Sequence, residues 1–69
     1  EAAVDGTVHY RELRTITDKN GRNVALSRTG EIVLLDGNGR ERAVDRLPYG
    51  SYVLIGDGAP VKKGARIAE

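Results

Sequence analysis

The sequence predicts an all-β domain of about six short antiparallel strands, folded as a small barrel or sandwich. Its 69 residues are enough for one small domain and no more, because the core of a chain below about 70 to 80 residues rarely supplies more than about 3 to 5 kcal/mol of stability. Nine glycines divide the chain into segments too short for most helices. Phe, Trp, Met and Cys are absent. The predicted core is therefore thin and aliphatic.

Composition also limits the function. Eleven basic and ten acidic residues leave a net charge of +1, so no strong overall field favours nucleic acid or a membrane surface. No apolar run is long enough for a membrane span or a signal peptide. Without cysteine, the chain has neither a disulfide nor a zinc-thiolate site, which suits a reducing compartment. We expect a cytoplasmic protein with no membrane partner.

The first strand is predicted to bend. Val8 and Tyr10 share one face, Leu13 falls out of this alternation, and Ile16 returns to it. An extra residue in a strand shifts the alternation in this way. We therefore expect a bulge or corner at Arg11–Glu12.

Two turn motifs predict hairpins. Asp18–Arg22 and Asp36–Gly39 contain the Asn-Gly and Asp-Gly pairs that supply positive φ in tight turns. Between them, Asn23–Ser27 places Val24 and Leu26 on one face and indicates a half-buried strand. Glu31–Asp36 is apolar on both faces, as expected of a central strand that is covered on both sides.

The segment Arg40–Leu47 is predicted to be an edge strand, closed by Pro48. Glu41 and Asp45 share one of its faces, and such charges discourage edge-to-edge association. Three arginines share the opposite face: Arg40, Arg42 and Arg46. Arginine suits bidentate phosphate contact, so this row is a candidate interaction surface. Nearby carboxylates dilute its charge, and a solvated edge is the preferred interpretation.

The C-terminal third completes the predicted sheet. Tyr52–Ile55 is expected to form a strand, Gly56–Gly58 a turn, and Arg66–Ala68 a last strand.

Few residues are available for catalysis or cofactor binding. His9 is expected on a solvated strand face, and Lys19 at a hairpin tip. Gly37–Gly39 and Gly56–Gly58 are interpreted as turn glycines, because a phosphate cradle also needs a following helix. We assign no catalytic, cofactor-binding or metal-binding residue.

The segment Asp57–Ala68 resembles the D-G-x-x-V-x-x-G-x-x-I-A hairpin of barrel-sandwich hybrid domains, which include biotinyl and lipoyl carriers. In this motif Val61 is expected to be buried, while Gly58 and Gly64 permit tight turns on either side. This resemblance implies a fold and leaves the function open.

Four further segments make the resemblance more specific. They are Gly6-Thr7-Val8, Leu26-Ser27-Arg28, Glu31–Asp36 followed by Gly39-Arg40-Glu41, and Leu47-Pro48-Tyr49-Gly50. In this order and spacing, the chain resembles the trigger-loop insertion of the β′ subunit of proteobacterial DNA-directed RNA polymerase. That insertion is built from sandwich-barrel hybrid motifs, and this chain resembles the first of them. The fold-defining turn residues are Pro48, Tyr49, Gly50, Asp57, Gly58 and Gly64.

The resemblance implies a non-catalytic module of a nucleotidyltransferase that modulates trigger-loop movement, pausing and elongation. Residues 1–69 would be one domain of a much larger chain, monomeric when isolated and without cofactor, in a parent enzyme that uses Mg and Zn. Its partners would be the rest of β′ and the other polymerase subunits, with DNA and RNA reached through the complex. Two alternatives stay open: a biotinyl or lipoyl carrier, and a small nucleic-acid-binding barrel.

Overall fold

The computed structural model describes residues 1–69 and contains only β-strands and turns. The strands are β1 (Gly6–Arg11), β2 (Thr15–Thr17), β3 (Asn23–Ala25), β4 (Glu31–Leu35), β5 (Glu41–Arg46), β6 (Tyr52–Val53) and β7 (Pro60–Val61). The predicted all-β class is therefore confirmed, with seven strands in place of about six. The predicted first strand divides into β1 and β2, and β7 was not predicted, while the predicted last strand is reduced to one bridge. β7 is only two residues long, and its proline has no N–H for a ladder. No helix is present that could cross a membrane.

The strands form two antiparallel sheets, with orders β5-β4-β1-β7 and β2-β3-β6. One core cluster contains buried side chains from both sheets, from the turn after β5 and from the two terminal segments. Its members are Ala2, Val8, Ala25, Ile32, Leu34, Leu47, Val53, Val61 and Ile67. The prediction of a thin aliphatic core is confirmed.

The central strand is β4, as predicted. It pairs with β1 on one side and β5 on the other. Ile32 and Leu34 face the core, while Val33 is 3% exposed on the opposite face. The predicted edge position of β5 is also confirmed.

The chain changes sheets at a corner after β1. Glu12 has a φ of 53°, in the left-handed region that few non-glycine residues adopt. Beyond it, Leu13 packs against the core and β2 begins in the other sheet. The predicted corner at Arg11–Glu12 is therefore present, and it explains the break in the alternation.

Val24 and Leu26 share one face of a half-buried strand, as predicted, but it is the outer face, and the prediction that Ile16 returns to the face of Val8 and Tyr10 is wrong. Ala25 is fully buried, whereas Leu26 is 36% exposed and Ile16 is 52% exposed. Ile16 lies opposite Val24 on the neighbouring strand, so both side chains share the outer face. The cause is the preceding corner, which resets the phase of β2, and the small side chain of Ala25 is the one that enters the core.

Both predicted hairpin turns are present and use the same device. Asp18 Oδ1 accepts hydrogen bonds from the backbone N–H groups of Asn20 and Arg22, both at 2.9 Å. Asp36 Oδ1 likewise accepts hydrogen bonds from the backbone N–H groups of Asn38 at 2.9 Å and Arg40 at 3.0 Å. Such aspartate turns hold the backbone in the geometry that a tight hairpin requires.

The C-terminal segments are shorter than predicted. β6 ends at Val53, and the expected last strand is reduced to one bridge between Val53 and Ala68. The Ile55 carbonyl accepts a hydrogen bond from the Tyr10 hydroxyl at 2.6 Å instead of joining a ladder. Val61 is buried, as the resemblance implies.

Candidate interaction surfaces

Three charged side chains cluster on the outer face of the four-stranded sheet. Arg11 and Glu31 are direct cross-strand partners, and Arg11 Nε lies 3.0 Å from Glu31 Oε1. Arg11 Nη1 lies 3.0 Å from Glu41 Oε2, and Nη2 lies 3.3 Å from Glu41 Oε1. Arg11 therefore binds one carboxylate with two nitrogens and a second carboxylate with its third. We call these three residues the Arg11 cluster.

The position of the Arg11 cluster explains an apolar residue beneath it. Glu31 begins β4, whereas Glu41 pairs with Leu35 at the far end of that strand. A guanidinium bonded to both carboxylates must lie over the middle of β4, where Val33 faces outward. Val33 is 3% exposed although no second layer covers this side. We infer that the Arg11 side chain covers Val33, as long amphipathic side chains often do.

Hydrogen bonding stabilises the charged form of Arg11. Bonds to Glu41 and then to Glu31 raise the pKa of the Arg11 guanidinium above its ordinary value. Sequence analysis missed this cluster, because its members are distant in sequence and only the strand register brings them together.

The predicted arginine row is interrupted. Arg40 precedes β5, and a bulge makes Arg42 the extra residue between Glu41 and Ala43. Because Glu41 lies opposite Leu35 and Arg46 opposite Glu31, the bulge places Glu41 on the same face as Arg46. The surface is therefore of mixed charge. An interaction role for Arg40, Arg42 and Arg46 stays a prediction.

The Leu47–Gly50 turn connects the two sheets. Leu47 is buried and its N–H donates to the Gly30 carbonyl at 2.9 Å. Pro48 accepts hydrogen bonds from the Ser51 N–H and hydroxyl at 3.1 and 2.8 Å. Gly50, with a φ of 89°, donates to the Ala25 carbonyl of β3 at 2.7 Å. Tyr49 is 64% exposed at the tip.

The second predicted turn also carries a specific contact. Asp57 Oδ1 accepts the Tyr10 N–H at 3.1 Å, and the Gly58 N–H donates to the Val8 carbonyl at 2.7 Å. Burial, and secondarily the Asp57 charge, raise the pKa of the Tyr10 hydroxyl. Gly58 and Gly64 both have positive φ, 87° and 90°, which explains why glycine occupies these turns.

His9 and Lys19 occupy the positions predicted for them. Both are exposed, His9 on the outer face opposite Val33 and Lys19 in the turn between β2 and β3. The turn carboxylates Asp18 and Asp36 have pKa values lowered mainly by backbone hydrogen bonds, from Arg22 and Arg40 respectively.

Comparison with known proteins identifies the family, although no protein-family model matches the sequence. The chain is 46% identical to the DNA-directed RNA polymerase subunit β′ of Bordetella pertussis over 99% of its length, and equally so to that of Bordetella avium. It is 50% identical to the subunit of Bordetella petrii over 81% of its length. The chain is homologous to a region of the RNA polymerase β′ subunit. It spans 4 to 5% of the length of these relatives.

The resemblance to RNA polymerase β′ stated from the sequence is thus confirmed. The Mg and Zn that it implies for the parent enzyme do not fit the residues of this chain. No group of three or more His, Asp or Glu side chains comes together to hold a metal ion. The outer faces of the two sheets instead present groups that suit contact with another protein surface: ion pairs on the four-stranded sheet and apolar side chains on the three-stranded sheet.

Proposed function

We propose that this chain is a non-catalytic insertion domain of the RNA polymerase β′ subunit that biases the movement of the trigger loop. The observation that carries the proposal is 46% identity over 99% of the chain to a region that makes up 5% of a β′ subunit. The motif order in Gly6–Ala68, which resembles the trigger-loop insertion, supports the more specific placement.

The geometry of the domain suits an insertion. Ala2 donates to the Ala65 carbonyl at 2.7 Å and accepts from the Gly64 N–H at 2.8 Å. Lys63 N–H also binds the Asp5 carboxylate. The first and last segments of the domain therefore lie side by side. A domain with adjacent termini can be inserted into a loop without pulling the two ends of the loop apart.

The mechanism is a linkage between contacts and conformations. The domain moves with the loop that carries it, so any contact that it makes in only one loop state shifts the balance of states by the free energy of that contact. A difference of about 1.4 kcal/mol would change the ratio of states tenfold. Nucleotide addition itself stays with residues elsewhere in the nucleotidyltransferase. The proposed setting is the bacterial cytoplasm, with DNA and RNA as partners of the whole complex.

A transcription assay on a paused template tests the proposal, using polymerases with and without residues 1–69. We expect the deleted enzyme to add nucleotides but to show altered dwell times at pause sites. Identical dwell times at all positions would reduce the domain to a spacer. Loss of all nucleotide addition would instead indicate a direct role in catalysis or assembly.

A further inference from the structure

The outer face of the three-stranded sheet is apolar. Ile16, Val24 and Tyr52 form one row across β2, β3 and β6. Leu26 and Leu54 lie just beyond the ends of β3 and β6, two residues after Val24 and Tyr52. Their N–H groups still donate to the Arg14 and Ile67 carbonyls, both at 2.8 Å, so the extended pairing continues and places both side chains on the same side. Together we call these five residues the apolar face.

The apolar face is uncovered. Ile16 is 52% exposed, Leu54 44% and Leu26 36%. These are three of the five large hydrophobic residues that are most exposed in the chain. Single exposed aliphatic residues are ordinary on protein surfaces, but neighbouring ones on one sheet face mark an interaction site.

Basic side chains border the apolar face. The Arg22 guanidinium stacks 4.1 Å from the centroid of the Tyr52 ring and lies 3.4 Å from an Asp18 oxygen. Arg14 is exposed, and its carbonyl accepts the Leu26 N–H at the opposite border. Arg14 takes part in none of the five ion pairs of the chain. A partner that carries a carboxylate beside an aliphatic patch would complement this border.

We propose that the apolar face docks against an aliphatic surface, bordered by acidic residues, elsewhere in the same β′ chain. This rests on the proposed function. Five partly exposed side chains fall short of the about 800 Å² per partner that stable interfaces between free proteins bury. Tethering removes this requirement, because a linked partner is present at an effective concentration of about millimolar. Relatives carry this region in a chain of which it makes up only 5%.

Nucleic acid is a poorer occupant of the apolar face. Single-stranded nucleic acid binds by stacking its bases on free aromatic rings. The only ring on this face belongs to Tyr52, and Arg22 already stacks on it.

Carbene footprinting of the intact polymerase tests the inference. Labelling of Ile16 and Leu54 is compared with that of Val44, each normalised to the denatured enzyme. Val44 is a matched control, because it is 43% exposed against 44% for Leu54 but lies on the other sheet. We expect Ile16 and Leu54 to be labelled at least about fivefold less than Val44, as for the desolvated centre of an interface.

Three results would overturn the inference. Equal labelling of Leu54 and Val44 would show that the face is open. Protection that appears only when DNA and RNA are added would assign the face to nucleic acid. Protection that disappears when the polymerase is diluted would assign it to a second polymerase molecule.

A pair of variants in the intact polymerase provides a second test. Leu54→Glu is expected to abolish the protection of Ile16, whereas Val44→Glu is expected to leave it unchanged. Equal protection of Ile16 in both variants would contradict docking at this face. Footprints and dwell times are independent readouts: protection with unchanged pausing would overturn only the proposed function, and altered pausing without protection would overturn only the docking.

Discussion

The two sheets share one core but treat their outer faces differently. On the four-stranded sheet, the outward-facing Val33 is 3% exposed, and we infer that the Arg11 cluster covers it. On the three-stranded sheet, the Arg22 side chain lies over the Tyr52 ring only, and Ile16 is 52% exposed. On the first sheet the central Val33 is buried, although Val44 on the edge strand β5 is 43% exposed on the same face. The second leaves its apolar face uncovered, and this is the face that we propose to dock.

The difference between the two outer faces follows from the lengths of the strands. β1, β4 and β5 have five or six residues each and pair over most of their length, so charged residues at their ends can reach across the face. β2 and β3 have three residues and β6 has two. Their outer face consists of little more than one cross-strand row, and the nearest arginine, Arg22, covers only the Tyr52 ring.

The largest expected effect concerns the core that both sheets share. Leu34→Ala is expected to lower the free energy of unfolding by about 3 kcal/mol, because it removes a fully buried side chain and leaves a cavity. Urea unfolding of the 69-residue chain measures it. A loss below about 0.5 kcal/mol, the size of a surface substitution, would contradict the central position of β4.

A comparison of the two outer faces gives the next largest effect. Val33→Ala is expected to cost about 2 kcal/mol, since it removes two buried methyl groups beneath Arg11. Ile16→Ala removes more atoms but is expected to cost less than about 0.5 kcal/mol in the isolated chain, because the side chain is half exposed. If Ile16→Ala costs as much as Val33→Ala, the two faces do not differ as described.

The sequence was sufficient to predict the features that depend on local chemistry. The hairpin turns at Asp18 and Asp36, the central strand β4 and the edge strand β5 all follow from residues that are close in sequence. The corner at Glu12 was recognisable because it interrupts an alternation of apolar residues. Each of these signals needs only a short window of sequence.

The features that could not be predicted from the sequence depend on how the strands are paired in register. The burial of Ala25 in place of Val24 could not be predicted, because a corner resets the phase of the next strand and the sequence does not show by how much. The interruption of the arginine row results from a bulge opposite Leu34 and Leu35. The Arg11 cluster joins residues 20 and 30 positions apart, so only the paired sheet reveals it.

A smaller change in stability is expected when the Arg11 side chain that covers Val33 is removed. Arg11→Ala should lower stability more than Arg46→Ala, because Arg11 both binds two carboxylates and covers Val33, whereas Arg46 takes part in none of the ion pairs. Urea unfolding at ~0.1 and ~1 M salt separates the two contributions, since salt screens exposed charges but not apolar cover.

Arg11→Met is the matched variant for this test. It keeps an unbranched apolar stem without the charge, so its stability is expected to lie between those of the wild type and Arg11→Ala. The difference between Arg11→Met and Arg11→Ala should persist at high salt. If Arg46→Ala is as destabilising as Arg11→Ala, the Arg11 side chain does not provide the cover.

The smallest effect is one that the two sheets should share, because both hairpins use an aspartate turn. Backbone hydrogen bonds lower the pKa of Asp18 and Asp36 in the folded chain. A lowered folded pKa gives stability that is fully present above the unfolded pKa of about 3.9 and is lost as the pH falls through the folded value. Below pH ~4, unfolding should therefore become progressively easier.

Asn at both positions keeps an oxygen acceptor but cannot titrate, so the double variant Asp18→Asn, Asp36→Asn should show a shallower loss of stability in acid, measured by urea unfolding across this pH range. The two single variants should contribute similar slopes. An unchanged slope in the double variant would place the acid sensitivity in other carboxylates, and a change in only one single variant would show that the two hairpins, like the two outer faces, are stabilised differently.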